Sequence, residues 1–200
     1  MNKLQVIFDT LDAGKKVYFK KIIKEFQSKL KRKVQNKQIW QEFLSEYILV
    51  LRNTYGEVLE KESVSIQGKY PDFMLLDPYS YLDIYEIKKP TTNLLKYDKS
   101  RDNYYWDIDM VKAISQVENY LDQVQRNSDT LMTDIGKNKG IDVNIVRPKG
   151  YIVAGTRGQL KGPKMTNDFR ILSEALKNTD VILYDDLLKN LESFVDRIGT

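Results

Sequence analysis

The chain has 200 residues, of which 42% are hydrophobic and 30% are charged, a composition typical of a globular domain rather than a disordered segment. It contains neither cysteine nor histidine, which excludes disulfides, thiolate or imidazole metal sites and every catalytic triad built on those side chains. Any metal must therefore bind oxygen ligands, which favours Mg²⁺, Mn²⁺ or Ca²⁺, and acid–base chemistry must fall to Asp, Glu, Lys or Tyr.

Positive charge is concentrated near the start of the chain. The formal net charge is only +4, yet the segment from Lys15 to Lys37 carries ten Lys or Arg side chains and a single acid, Glu25. Such a segment suits a polyanion or a subunit contact, and a solvated helix face explains it equally well. Because no apolar run approaches the roughly 18 residues of a membrane span and no signal-peptide pattern is present, we expect a cytoplasmic protein without a membrane partner.

Helical periodicity dominates the first quarter of the sequence. Apolar residues recur at helical spacing between residues 19 and 30, and again between residues 39 and 51, with Asn36 as a break between the two predicted helices. We therefore separate a basic N-terminal helical segment, residues 1–36, from a domain that covers residues 37–200.

Strands and helices alternate in the remainder. A strand is expected within residues 58–66, and the apolar runs 72–76 and 82–88 flank turn residues 77–81, which predicts a β-hairpin. The other predicted segments are loops at 91–106 and 128–140, strands at 151–154 and 181–184, and helices at 110–124, 167–177 and 185–198. A hairpin followed by a helical crossover implies an α/β fold: a mixed β-sheet with an antiparallel hairpin and a crossover helix, flanked by helices.

The predicted hairpin carries residues that could bind a metal. Pro71-Asp72 is the one Pro-Asp pair in the sequence, and Glu86 to Lys88 is the one acid-x-lysine triplet. If the turn is centred on Tyr79, Asp72 lies opposite Glu86, and Lys88 shares that face because alternate residues of a strand point the same way.

Two carboxylates and an ammonium arranged in this way suggest phosphodiester hydrolysis. The carboxylates, a backbone carbonyl and water make a suitable site for Mg²⁺, with Mn²⁺ as a substitute. Lys88 would orient water or offset developing charge while the metal polarises a phosphate. A partly solvated strand face with an ordinary Glu–Lys pair explains the same residues about as well.

A second motif lies on the predicted crossover helix. Gln116 and Tyr120 form the one Gln-x-x-x-Tyr pattern in the sequence, and residues four apart share a helix face. Since a crossover helix packs on the sheet, both side chains can point toward the carboxylates. Ordinary core packing of Tyr120 is the alternative, and the combination with the hairpin favours function.

These motifs resemble those of a known enzyme superfamily. Pro71-Asp72, Glu86-x-Lys88 and Gln116-x-x-x-Tyr120, in a hairpin-then-helix layout, resemble the PD-(D/E)XK nucleases, whose fold is restriction-endonuclease-like. From about residue 37 onward, the chain more narrowly resembles the nuclease domain of Shedu anti-phage defence proteins, in the segments IWQEFL, YPDFMLL, YEIKKP, KAISQVENYL, KGYIVAGT and YDDLL. The resemblance implies a metal-dependent DNA nuclease of bacterial defence that forms a homo-oligomer, a dimer or a tetramer.

The resemblance also implies roles for individual residues. Asp72 and Glu86 would hold the metal together with the Ile87 carbonyl, Lys88 would be catalytic, and Gln116 and Tyr120 would support the site.

A helix glutamate is expected as well. The family resemblance places an acid just before the Trp-Gln pair, where this chain has Lys37 and Gln38, so Glu42 and Glu46 are the candidates. Glu46 is preferred as a further catalytic residue because it falls nearer the core-facing side of the helical wheel.

DNA contacts are predicted in the segment 91–106. The candidates combine cations that can meet phosphates with aromatic rings that can stack on bases: Lys96, Lys99, Arg101, Tyr104 and Trp106. Aromatic side chains packed on the protein body are the alternative.

The function that best fits these patterns is a magnesium-dependent deoxyribonuclease of the Shedu type. Two alternatives stay open at this point: a restriction- or resolvase-like endonuclease on the same fold, and a non-catalytic module for nucleic-acid binding or oligomerisation.

Overall fold

A computed structural model of the chain describes residues 3–60 and 71–197. The described helices are α1 (Lys3–Lys31), α2 (Lys37–Leu51), α3 (Ile108–Arg126), α4 (Ser128–Lys139), α5 (Gly162–Glu174) and α6 (Tyr184–Arg197). The described strands are β1 (Glu57–Glu60), β2 (Phe73–Leu76), β3 (Leu82–Ile87), β4 (Leu95–Asp98), β5 (Asn103–Trp106), β6 (Gly150–Val153) and β7 (Thr179–Ile182). The strand predicted over 58–66 therefore lies partly outside the described residues.

A mixed five-stranded sheet forms the centre of the fold. Its strand order is β1-β2-β3-β6-β7, in which β1, β2 and β3 are antiparallel neighbours while β6 and β7 run parallel to β3. Strands β4 and β5 form a separate antiparallel hairpin. The predicted α/β class, a mixed sheet flanked by helices, is confirmed. No helix among the described residues is long and apolar enough to cross a membrane.

Helices cover both faces of this sheet because its strands alternate between two apolar cores. Met74 of β2 faces the core built with α3 and α4, whereas Phe73 and Leu75 face the core built with α1, α2 and α6. Helix α1 belongs to the second core, since its Ile22 and Phe26 are fully buried there.

The predicted register of the β2–β3 hairpin is confirmed. Phe73 pairs with Tyr85, so the next position outward places Asp72 opposite Glu86. Asp77 stabilises the turn, because its carboxylate accepts two backbone N–H groups at 2.8 and 2.9 Å. Such Asx turns form from short-range contacts alone, which explains why the local sequence predicted this hairpin.

Both predicted loops are wrong. Segment 91–106 contains the β4–β5 hairpin, and segment 128–140 contains α4. Polar composition suggested loops in both places, but a few buried side chains decide the structure. In α4, Leu131 and Ile135 lie four residues apart and are both buried, which gives this polar helix an edge to pack on the core.

Candidate active site

Two carboxylates meet at one end of the central sheet. Asp72 immediately precedes β2 and its side chain is 12% exposed, whereas Glu86 near the end of β3 is 2% exposed. Asp72 Oδ2 accepts the backbone N–H of Ile87 at 2.6 Å, which ties this carboxylate to β3. The hairpin register thus brings the two predicted metal ligands together, with Ile87, whose carbonyl is the third predicted ligand, beside them.

Lys88 connects this strand to helix α3. Its Nζ lies 2.8 Å from Glu86 Oε1 and 2.9 Å from the side-chain oxygen of Gln116. The Gln116 amide in turn donates to the Tyr120 hydroxyl at 2.7 Å. The Lys88 carbonyl is also fixed, because it accepts the hydroxyl of buried Tyr184 at 2.6 Å. The structure therefore joins the two sequence motifs in one hydrogen-bonded network.

Close packing of α3 on β6 supports this network. A methyl group at Gly150 of β6 would overlap the side chain of Val117, the residue that follows Gln116. Glycine therefore allows the helix to approach the sheet closely enough for its polar edge to reach Lys88.

Helix α2 supplies two further side chains that the sequence did not assign to the site. Lys37 Nζ lies 2.9 Å from Asp72 Oδ2 and 3.4 Å from Glu86 Oε1. The Gln41 amide donates to Asp72 Oδ1. Lys37 and Gln41 are four residues apart and share one helix face, which is the pattern that could have identified them as a pair.

The predicted helix glutamate lies elsewhere. Glu46 is exposed and accepts a hydrogen bond from the hydroxyl of Tyr47, and Glu42 is likewise exposed. Gln41 faces Asp72, and Glu46, five residues further along, is rotated by roughly 140° around the helix axis. The structure does not bring Glu46 to the carboxylates, because Glu46 lies in the middle of α2, whereas the carboxylates lie beside the first residues of this helix.

Burial and ion pairing shift the pKa values of Glu86 and Lys37 in opposite directions. Burial raises the pKa of Glu86, as does the charge of Asp72, although Lys88 and Lys37 partly offset both effects. Burial lowers the pKa of Lys37, but the two carboxylates outweigh it and the net shift is upward. With both lysines charged and both carboxylates ionised, the four formal charges balance to zero.

The donor set fits a hard divalent cation, provided that Lys37 moves. No three acidic side chains converge within residues 3–60 and 71–197, so the protein ligands would be Asp72, Glu86 and the Ile87 carbonyl, completed by water. Lys37 Nζ already contacts an oxygen of each carboxylate, so one positive charge can serve both groups.

The cations predicted to contact DNA are exposed on the β4–β5 hairpin: Lys96, Lys99 and Arg101. The two predicted aromatic residues behave differently. Tyr104 and Trp106 are half-buried on the side that faces α5, and the Trp106 ring lies 5.7 Å from that of Phe169. Tyr97 and Tyr105 are the aromatic side chains that this hairpin exposes.

Comparison with known proteins places the chain in a family. Residues 34–188 match the family model described as Shedu protein SduA, C-terminal. The Shedu protein SduA of Bacillus cereus (strain B4264) is 28% identical over 174 residues, which cover 80% of this chain and 46% of that protein. The chain thus spans about half the length of this curated relative. Because the family model matches well over half of the chain, the protein belongs to the Shedu SduA C-terminal family.

Proposed function

We propose that the chain is a magnesium-dependent DNA nuclease of the PD-(D/E)XK type that acts in anti-phage defence. One observation carries the proposal: the hairpin register sets Asp72 beside Glu86, and Lys88 is held between Glu86 and Gln116. Membership of the Shedu SduA family supports the defence role.

We assign each side chain a role from its contacts. Asp72, Glu86 and the Ile87 carbonyl would hold Mg²⁺, which would act as a Lewis acid toward a phosphodiester. Lys88 presents a partly exposed ammonium next to those ligands, where it can donate to a water molecule or to a phosphate oxygen. Gln116 fixes the direction of that ammonium, and Tyr120 fixes Gln116.

Two regions with lysine side chains support DNA as the partner. The first is the exposed β4–β5 hairpin. The second is a cavity of about 610 Å³ between the end of α1 and the segment that follows β3, whose mixed lining includes Lys29 and Lys33 together with Asp185 and apolar side chains. Lysine side chains in these two regions can pair with the phosphates of the DNA backbone.

Digestion of plasmid and linear DNA tests the proposal. The wild-type protein should cleave in Mg²⁺ and not in EDTA, and Lys88→Met should lower the rate at least about 100-fold, because it removes a positioned donor from a desolvated site. Lys89→Met is the matched control, since Lys89 is the next residue and is exposed. It should stay within about twofold of wild type, a change typical of a surface side chain.

Equal cleavage by wild type and Lys88→Met would contradict the proposal, as would the absence of any magnesium-dependent cleavage, which would favour a non-catalytic nucleic-acid-binding module. A panel of linear, nicked, branched and methylated DNA then separates a defence nuclease from restriction- or resolvase-like activity. The homo-oligomer, a dimer or a tetramer, stays a prediction that sedimentation velocity can test.

A further inference from the structure

Lys37 occupies an unusual electrostatic position. It is the first residue of α2, where the helix dipole favours negative rather than positive charge. Its Nζ nevertheless lies 2.9 Å from Asp72 Oδ2 and 3.4 Å from Glu86 Oε1. The two carboxylates therefore provide the attraction that holds an ammonium at this unfavourable end of the helix.

Lys37 and Lys88 relate to the acids in different ways. Lys88 contacts Glu86 and also donates to the side-chain oxygen of Gln116 on α3. Lys37 alone of the two lysines contacts both acids, and its side chain is 38% exposed. Lys88 is thus held by contacts with two elements, whereas the Lys37 side chain is exposed enough to move away from the carboxylates that it bridges.

A charged ammonium and a divalent cation cannot use these oxygens together. An ammonium has donors but no lone pair, so it cannot join a metal's coordination shell. Mg²⁺ demands closely placed oxygen ligands and tolerates little distortion. Since the four formal charges already balance, the site also lacks the excess negative charge that would attract a second cation.

We infer that Lys37 is a built-in competitor of the divalent cation. Its ammonium bridges Asp72 and Glu86 until a metal displaces it, and Lys37 thereby weakens metal binding and sets the metal concentration at which the site fills. This inference rests on the proposed metal site. It extends that proposal by assigning to α2 a residue that opposes metal binding instead of contributing a ligand.

Titration with Mn²⁺, followed by electron paramagnetic resonance, measures the effect without DNA. Lys37→Gln should bind Mn²⁺ about tenfold more tightly than wild type, because one positive charge leaves the immediate neighbourhood of the ligands. Lys189→Gln, which removes the same charge from an exposed position on α6, should bind like wild type. Asp72→Asn should lose binding.

A measurement on the wild-type protein covers the case in which Lys37→Gln folds poorly. Acetylation of lysine side chains, read by mass spectrometry, should proceed faster at Lys37 when Mn²⁺ is present, because the displaced amine is freed from its ion pairs. Unchanged Lys37 labelling at saturating Mn²⁺ would overturn the inference.

The outcomes separate this inference from the proposed nuclease function. Equal or weaker Mn²⁺ binding by Lys37→Gln, together with magnesium-dependent cleavage by wild type, would remove the role of Lys37 and leave the nuclease intact. Failure of every variant to bind Mn²⁺, with no cleavage, would overturn both.

Discussion

The two β-hairpins differ in how far their charged side chains are buried. In the β2–β3 hairpin, Asp72 and Glu86 are almost buried and contact side chains of α2, and Lys88, directly after β3, links Glu86 to Gln116 of α3. In the β4–β5 hairpin, Asp102 is 72% exposed, accepts the Tyr97 hydroxyl at 2.6 Å and pairs with Lys164 at 3.3 Å.

The difference follows from the cost of desolvation. A buried carboxylate must be paired, so Asp72 and Glu86 each need a cation or another hydrogen-bond donor beside them. An exposed ion pair contributes little and can rearrange, because water solvates each charge separately. The acids of the first hairpin are therefore confined by their partners, and the second hairpin has a surface suited to electrostatic contacts.

Matched aspartate substitutions in the two hairpins should show the largest contrast. Asp72→Asn should lower magnesium-dependent cleavage at least about 100-fold, because an amide is a poor ligand for a divalent cation and no longer balances Lys37. Asp102→Asn should leave cleavage within about twofold. Initial rates on plasmid DNA measure both. Comparable losses in the two variants would mean that the two hairpins do not differ in this way.

The pH dependence of stability should distinguish buried from exposed glutamates. Burial, and the nearby charge of Asp72, raise the pKa of Glu86 above 4.5, so the native state holds this proton more tightly than the unfolded chain does. The native state therefore loses stability as the pH rises through that raised pKa. Relative to wild type, Glu86→Gln should become more stable as the pH rises above about 4.5, in urea unfolding with EDTA.

Glu42→Gln provides the control for that experiment, since Glu42 is an exposed glutamate on α2. The stability of Glu42→Gln relative to wild type should not change over the same rise in pH. The free energy of unfolding of Glu86→Gln could instead differ from that of wild type by a constant amount, or fall relative to wild type as the pH rises. Either result would show that burial does not raise the pKa of Glu86.

The smallest effects are expected on the exposed hairpin. Lys99→Ala and Arg101→Ala, each made in the inactive Lys88→Met protein, should weaken DNA binding by about threefold and reduce the salt dependence by about one ion per lost phosphate contact. Fluorescence anisotropy at several salt concentrations measures both quantities. Lys137→Ala on α4 is the control, and an equal loss there would argue against a specific role for the hairpin.

Prediction from the sequence succeeded where contacts are local. The β2–β3 register follows from a turn stabilised by Asp77 and from strand periodicity, so the position of Asp72 opposite Glu86 was predictable. The pairing of Gln116 with Tyr120 follows from helical spacing in the same way. Both relations depend on residues close together in the chain.

Prediction failed where a few buried side chains override composition. The 91–106 and 128–140 segments are polar enough to suggest loops, yet half-buried Trp106 and buried Leu131 attach them to the core as a hairpin and a helix. Their burial depends on α5 and on the central sheet, which local composition does not describe.

The residues alone excluded thiol and imidazole chemistry and specified the hairpin with its acid pair, because absent side chains and short-range periodicity need no tertiary information. Folding decided which cation meets those acids. Lys37 lies 35 residues before Asp72, and only the packing of α2 on the sheet brings its first turn to that edge. The rotation of a helix is set by the whole apolar stripe buried beneath it, so contacts at its end emerge only from the assembled core.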